Sequence, residues 1–310
     1  MEISNQKPTK IKILNNGQNI PLIGLGNLKD ENKEEIVYYS IKDGVRLIDT
    51  DPNLKNEEEI GKALKRAIED GLVKREDLFI IGKLTLENKS NPEKAIKETL
   101  KKLKLVYLDL YLDQWPTSTI YESNYQNKIK MISIYDLWPK MEILIEKGLT
   151  KSIGVCNYNV QALNNLLSFC IIKPVVNGIE FHPFNFQKNI LKLCEVFGIT
   201  LLAYSPLSKG NESKKLIEEK ANDYIIHIID RIDNELTYKY GKTKGQIILN
   251  WHKQLGVIPI VSTSKINRME ENLEALEFNM ESEDIKQLCS LGKKIRFNDS
   301  HKIFGYNILA

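Results

Sequence analysis

One alternation constrains what this chain can fold into. Short apolar stretches of strand length are each followed by a longer amphipathic stretch of helical period. Strands are expected at Leu22–Gly26, Arg46–Ile48, Asp77–Lys83, Val106–Leu112, Ser152–Val155, Pro174–Asn177, Ile199–Tyr204 and Val257–Ile260. Helices are expected at Glu34–Lys42, Asn56–Glu69, Pro92–Leu103, Tyr135–Lys147, Val160–Phe169, Asn189–Phe197, Lys214–Tyr240, Lys244–Leu255, Arg268–Leu276 and Glu283–Leu291. Near-continuous apolar strands between helices indicate a parallel sheet covered on its outer face. About eight such units in 310 residues favour closure over an open sheet. The expected architecture is α/β, a (β/α)8 TIM barrel in a single domain over residues 1–310. An N-terminal β-hairpin precedes it over Lys10–Pro21, turning at Asn15-Asn16-Gly17, and a C-terminal loop follows it. The polar stretch Thr117–Ser133 reads as a variable loop.

Composition excludes several classes of function. A net charge of +3 gives no reason to expect nucleic acid, and the basic run Lys101-Lys102-Leu103-Lys104 suits a solvated helix C-terminus. No apolar run reaches the ~20 residues that span a bilayer. Met1 to Lys12 lacks the apolar core of a secretory signal. Cys156, Cys170, Cys194 and Cys289 show no Cys-x-x-Cys spacing and read as reduced, mostly buried thiols. An intracellular protein, cytoplasmic by default, is expected. No metal site is expected either, because Glu180 and His182 at i, i+2 do not make one. Gly24-x-Gly26 lacks the third glycine of a dinucleotide fingerprint, since position 29 is Lys29.

The most informative stretch is Arg46 to Gly61. It runs as a strand, breaks at Asp51-Pro52-Asn53 and resumes as a helix, and the loop after such a strand is where an α/β barrel places its chemistry. Gly44, Arg46, Ile48, Asp49, Thr50, Asn56, Glu57 and Gly61 give the chain a signature that resembles that of the aldo-keto reductases. Further matches are Leu108–Leu112 with Trp115-Pro116, Gly154-Val155 with Asn157, Glu180 with His182-Pro183, Ala203–Leu207, Ile258-Pro259, Arg268, and Glu271-Asn272. The resemblance extends from Gly17 to about Asn298.

The resemblance implies carbonyl reduction by NADPH without a metal. A tyrosine hydroxyl gives the proton, a lysine paired to an aspartate tunes it, and a histidine orients the substrate. The aspartate and lysine fall on Asp49 and Lys83, and both are kept. The tyrosine falls on Leu54 and the histidine on Gln114, so half of the tetrad is replaced. Losing a positioned general acid costs roughly 10²- to 10⁴-fold in rate. Asp51, Lys55, Asp113 and Tyr121 are other acids nearby. Asp113 adjoins Gln114 on a strand and is expected to point to the opposite face.

The same resemblance implies a site for NADP(H). Of the three nicotinamide amide contacts only Asn157 remains, since the other two positions are Cys156 and Gly178. Tyr204 would stack on the ring, and Ser205, Leu207 and Ser208 belong to the pyrophosphate loop. Thr263, Ser264, Arg268, Glu271 and Asn272 would hold the adenosine end, with Arg268 on a 2′-phosphate. Position 28, a tryptophan in many relatives, is Leu28. The departures cluster at the reacting atoms. Two readings follow: a pseudoenzyme that keeps NADP(H) and serves as a structural or binding subunit of a larger assembly, or an active NADPH-dependent reductase with an altered proton donor.

Overall fold

The computed structural model describes residues 9–26, 28, 32–117, 132–208, 231–263, 265, 267–290, 295–298, 300, 304 and 308. The expectations for Tyr121, Ser264 and most of Thr117–Ser133 and Lys214–Tyr240 lie outside the described residues.

The hairpin forms as expected. β1 (Ile11–Ile13) pairs antiparallel with β2 (Asn19–Pro21), and Gly17 takes a φ of 84° in the turn, a conformation glycine adopts without steric cost. Eight parallel strands then close a barrel: β3 (Gly24–Leu25), β4 (Leu47–Asp49), β5 (Phe79–Leu84), β6 (Leu110–Asp113), β7 (Ile153–Cys156), β8 (Val176–Glu180), β9 (Thr200–Tyr204) and β10 (Ile258–Val261), with β10 returning to β3. Around them lie α1 (Lys33–Lys42), α2 (Glu57–Glu69), α3 (Pro92–Leu103), α4 (Ile134–Glu146), α5 (Val160–Leu167), α6 (Lys188–Phe197), α7 (Lys244–Gln254), α8 (Asn267–Glu274) and α9 (Ser282–Ser290).

The period-2 geometry of each strand splits the core in two. Leu47, Phe79, Ile81, Leu110, Leu112, Cys156, Val176, Leu202, Ile258 and Ile260 fill the barrel interior, joined by Leu14 and Ile20 of the hairpin. Their strand neighbours Ile48, Ile80, Tyr111, Val155, Ile179 and Leu201 face the helices in the larger outer cluster. Inward parity at the C-terminal ends of the strands therefore selects the residues that line the mouth.

Two strands start later than their apolar runs suggest. Asp77 ends a 3₁₀ turn, where its carboxylate accepts from the Lys74 backbone N–H at 2.8 Å, so β5 begins at Phe79. Asp109 accepts from the Ile80 N–H at 2.9 Å and pairs with Arg75 at 2.8 Å. Before β6 only a bridge from Leu108 to Thr150 remains. Of the long helix expected up to Tyr240, the described part is a π-helical turn, Arg231–Leu236, followed by Thr237–Tyr240.

Candidate active site

Asp49 ends β4 and Lys83 lies near the end of β5, both on inward parity. Lys83 Nζ sits 2.7 Å from Asp49 Oδ2. The same ammonium is 3.8 Å from Asp51 Oδ2. Burial works to lower the Lys83 pKa, but Asp49 and Asp51 outweigh it and hold the amine above the ordinary lysine range. Burial pushes the Asp49 carboxyl up, against the pull of Lys83.

The loop after β4 explains how Asp51 comes to face the lysine. Asp51 caps the 3₁₀ turn Pro52–Leu54 by accepting from the Asn53 backbone N–H at 2.9 Å. Lys55 then turns the chain with a φ of 49°, and Asn56 is fully buried ahead of α2. Leu54 is partly buried and brings no polar atom beyond its backbone. Gln114, just past β6, closes the group. Its Nε2 donates to Asp51 Oδ2 at 3.0 Å, and its Oε1 accepts from Asn53 Nδ2 at 3.0 Å. Gln114 thus spends its side-chain amide bridging the loop.

Asp113 does point the other way. It is fully buried, 2.7 Å from Lys89, and accepts from the Tyr158 hydroxyl at 2.8 Å. Lys89 also donates to the Trp115 carbonyl. This buried set fixes the backbone that carries Gln114 and Trp115.

On the next strands, Asn157 Nδ2 donates to the Gln114 carbonyl at 2.9 Å, and its Oδ1 accepts from the Tyr204 hydroxyl. Burial pushes the Tyr204 phenol up; Glu180 adds to this and Arg296 opposes it. Cys156 faces Gly178 across β7 and β8. A Cβ on Gly178 would come within 2.8 Å of the Cys156 sulfur, so the small residue makes room for the thiol. Burial raises the Cys156 pKa to about 12, which leaves an inert thiol. Glu180 ties down the C-terminal segment, accepting from the Asn298 backbone N–H at 2.9 Å and from its side chain at 2.8 Å. Phe304 is fully buried against Trp115, their ring centres 5.0 Å apart.

The loop after β9 fits a phosphate ligand. Ser205 and Ser208 hold φ values of 51° and 57°, a left-handed backbone that L-residues rarely adopt without a structural reason. The Ser208 hydroxyl is buried with no hydrogen-bond partner among the described residues, an orphan that an added acceptor would satisfy. At the far end Arg268 is exposed in the first turn of α8. Asn272 is buried, and among the described residues its amide donates to the Met269 sulfur, at 3.8 Å. Thr263 and Glu271 already have partners: Thr263 closes a turn on Lys265 at 3.0 Å, and Glu271 accepts from Thr243 at the cap of α7. Thr263 and Glu271 therefore serve the fold.

The same architecture is found in solved proteins. The chain superposes with a TM-score of 0.85 on an aldo-keto reductase of Bombyx mori in complex with NADP, at 31% identity over 95% of this chain and 96% of that one. The aldose reductase of Schistosoma japonicum gives 0.81 at 30% identity, covering 96% and 97%. In sequence it is 35% identical to an NAD(P)H-dependent D-xylose reductase of Pyricularia oryzae, over 94% of this chain and 95% of that one. The model of the aldo/keto reductase family matches residues 16–293. The chain belongs to the aldo/keto reductase family. Among the described residues of this aldo/keto reductase no cluster of His, Cys, Asp or Glu could hold a metal ion, and no helix is long and apolar enough to cross a membrane.

Sequence reasoning left Asp51 among several unranked acids. The structure sets it apart by two contacts, with Lys83 and with Gln114. The alternation Asp49-x-Asp51 was the available signal, but the strand ends at Asp49, so parity alone does not orient the second carboxylate.

Proposed function

We propose that this barrel holds NADP(H) and that its carbonyl reduction is severely impaired, which suits a binding or structural subunit. The observation that carries this reading is the fate of the two reacting positions. Leu54 has no proton to give, and the Gln114 amide is occupied by Asp51 and Asn53. In this reading Asn157, Tyr204, Ser205, Leu207, Ser208, Thr263, Ser264, Arg268, Glu271 and Asn272 hold the cofactor, and NADP(H) would supply the hydride to a carbonyl carbon. Support for the cofactor comes from the orphaned Ser208 hydroxyl, the exposed Arg268 and the NADP-bound relative. The relatives carry reductase names, and the intact Asp49–Lys83 pair is compatible with either fate.

A second reading, an active NADPH-dependent aldehyde or ketone reductase with an altered proton donor, rests on the kept Asp49–Lys83 pair, 2.7 Å apart. One experiment separates the two. In Leu54→Tyr combined with Gln114→His, aldehyde reduction is expected to rise by roughly 10²- to 10⁴-fold over the natural chain. If the natural chain already turns over aldehydes at a rate the double variant does not improve, the impaired reading is wrong.

A further inference from the structure

Past α9 the chain returns to the barrel mouth and is fixed there at three points. The Ile295 N–H donates to the Phe184 carbonyl at 2.7 Å, in the turn after β8. The Phe297 and Asn298 N–H groups and the Asn298 side chain all donate to Glu180, at the end of β8. Further on, Phe304 is buried against Trp115. Glu180 is fully buried, and His182 Nε2 lies 3.1 Å from it. The C-terminal segment thus supplies most of the donors around this carboxylate, and stripping them from a buried charge is costly. Of the three points, the middle one also reaches the loop after β9. Asn298 Nδ2 lies 2.8 Å from Glu180 Oε2 and 3.3 Å from Ser205 Oγ, so one amide bridges β8 to that loop. Ser205 is the left-handed residue that opens the loop, and the orphaned Ser208 hydroxyl lies three residues on.

We propose that the C-terminal segment is a strap coupled through Asn298 to the loop after β9: a phosphate ligand on the loop holds the strap shut, and an opened strap loosens the ligand. In the reading above that ligand is NADP(H), and the coupling rests on that reading for the ligand's identity alone. The Ser205 oxygen accepts from Asn298, which leaves the hydroxyl proton to donate to a phosphate oxygen. A hydroxyl that accepts one hydrogen bond donates the next more strongly, so the two bonds reinforce each other. The coupling is reciprocal, as any coupling of binding free energies must be. Ligand on Ser205 tightens Asn298, and Asn298 joins Ser205 to the carboxylate that holds the strap's backbone.

The test is hydrogen exchange of the Phe297 and Asn298 amides on the full chain, with NADP⁺ and separately with inorganic pyrophosphate, while calorimetry reports binding. Saturating ligand is expected to slow these amides at least about fivefold and to leave the β1–β2 hairpin unchanged. Asn298→Ala keeps both backbone donors to Glu180 but removes the bridge. It is expected to weaken pyrophosphate about fivefold and to abolish the slowing. Glu180→Gln sets an amide against the strap's donors without touching the loop, and is expected to weaken pyrophosphate in the same direction. Ligand that binds without slowing these amides, slowing shared equally by the hairpin, or an Asn298→Ala variant that binds as tightly as the natural chain would overturn the coupling while ligand binding stands. If pyrophosphate binds and slows the amides but NADP⁺ does not bind, the cofactor reading fails and the coupling holds. If neither binds at millimolar concentration, both fail.

Discussion

Lys83 shows how a residue of the reductase signature can also be held in place by the fold. Its ammonium lies between Asp49 and Asp51, and its side chain is 14% exposed. Removing it leaves the buried Asp49 carboxylate without its partner, which costs about 3–5 kcal/mol. The Lys83→Met variant is therefore expected to lower the urea midpoint by an amount of that order. Adding Asp49→Asn should recover a large part, because the stranded charge is then gone. If Lys83→Met is as stable as the natural chain, the pair is not held by the fold, and its retention instead argues for catalysis. At this scale the sequence was legible where parity applies. Asp49, Lys83 and Cys156 point inward because they share phase with Leu47, Ile81 and Gly154. Asp51 was not legible, because it lies past the end of its strand and takes its direction from its contacts with Lys83 and Gln114.

At the scale of elements, the signature from Asn56 to Gly61 proves to be as much about packing as about chemistry. Buried Glu57 accepts from Thr99 at 2.7 Å and pairs with Lys102 at 3.2 Å, tying α2 to α3. One turn later a Cβ on Gly61 would lie 2.4 Å from the Lys102 carbonyl oxygen and 2.8 Å from the Leu103 Cα. These are backbone atoms of a helix, which cannot rotate aside as a side chain can. Gly61→Ala is expected to cost about 3 kcal/mol, the upper part of the usual range for overpacking. A thermal melt of this variant checks it, and an unchanged midpoint would mean that α2 and α3 separate at little cost. The order of strands and helices was readable from hydrophobic period alone. Strand starts were not, because Asp77 and Asp109 use their side chains on backbone N–H groups and so withdraw the preceding residues from the sheet. The ends of the helices were closer, since caps such as Asn91 and Thr243 announce themselves in the sequence.

For the molecule as a whole, acid is the perturbation that the buried histidines make it sensitive to. His252 on α7 is fully buried. Its Nε2 lies 2.9 Å from the Phe181 carbonyl just past β8, and its Nδ1 2.7 Å from the Ile248 carbonyl. Burial holds its pKa down at about 4, although both carbonyls pull the other way. An unfolded chain takes up this proton near pH 6.5, whereas the folded chain resists it until about pH 4. The unfolded state therefore binds more protons in that interval, and stability must fall as the pH drops through it. The contribution is complete above the unfolded value and lost below the folded one, in total about 3 kcal/mol. His182, lowered by burial despite Glu180 beside it, acts in the same direction. Chemical denaturation at pH 7, 6, 5 and 4.5 should show a declining midpoint, and His252→Gln should flatten that decline without abolishing it, because His182 remains. A midpoint that stays level from pH 7 to 4.5 would mean that His252 is already protonated in the folded barrel, with both ring nitrogens donating to the carbonyls they face.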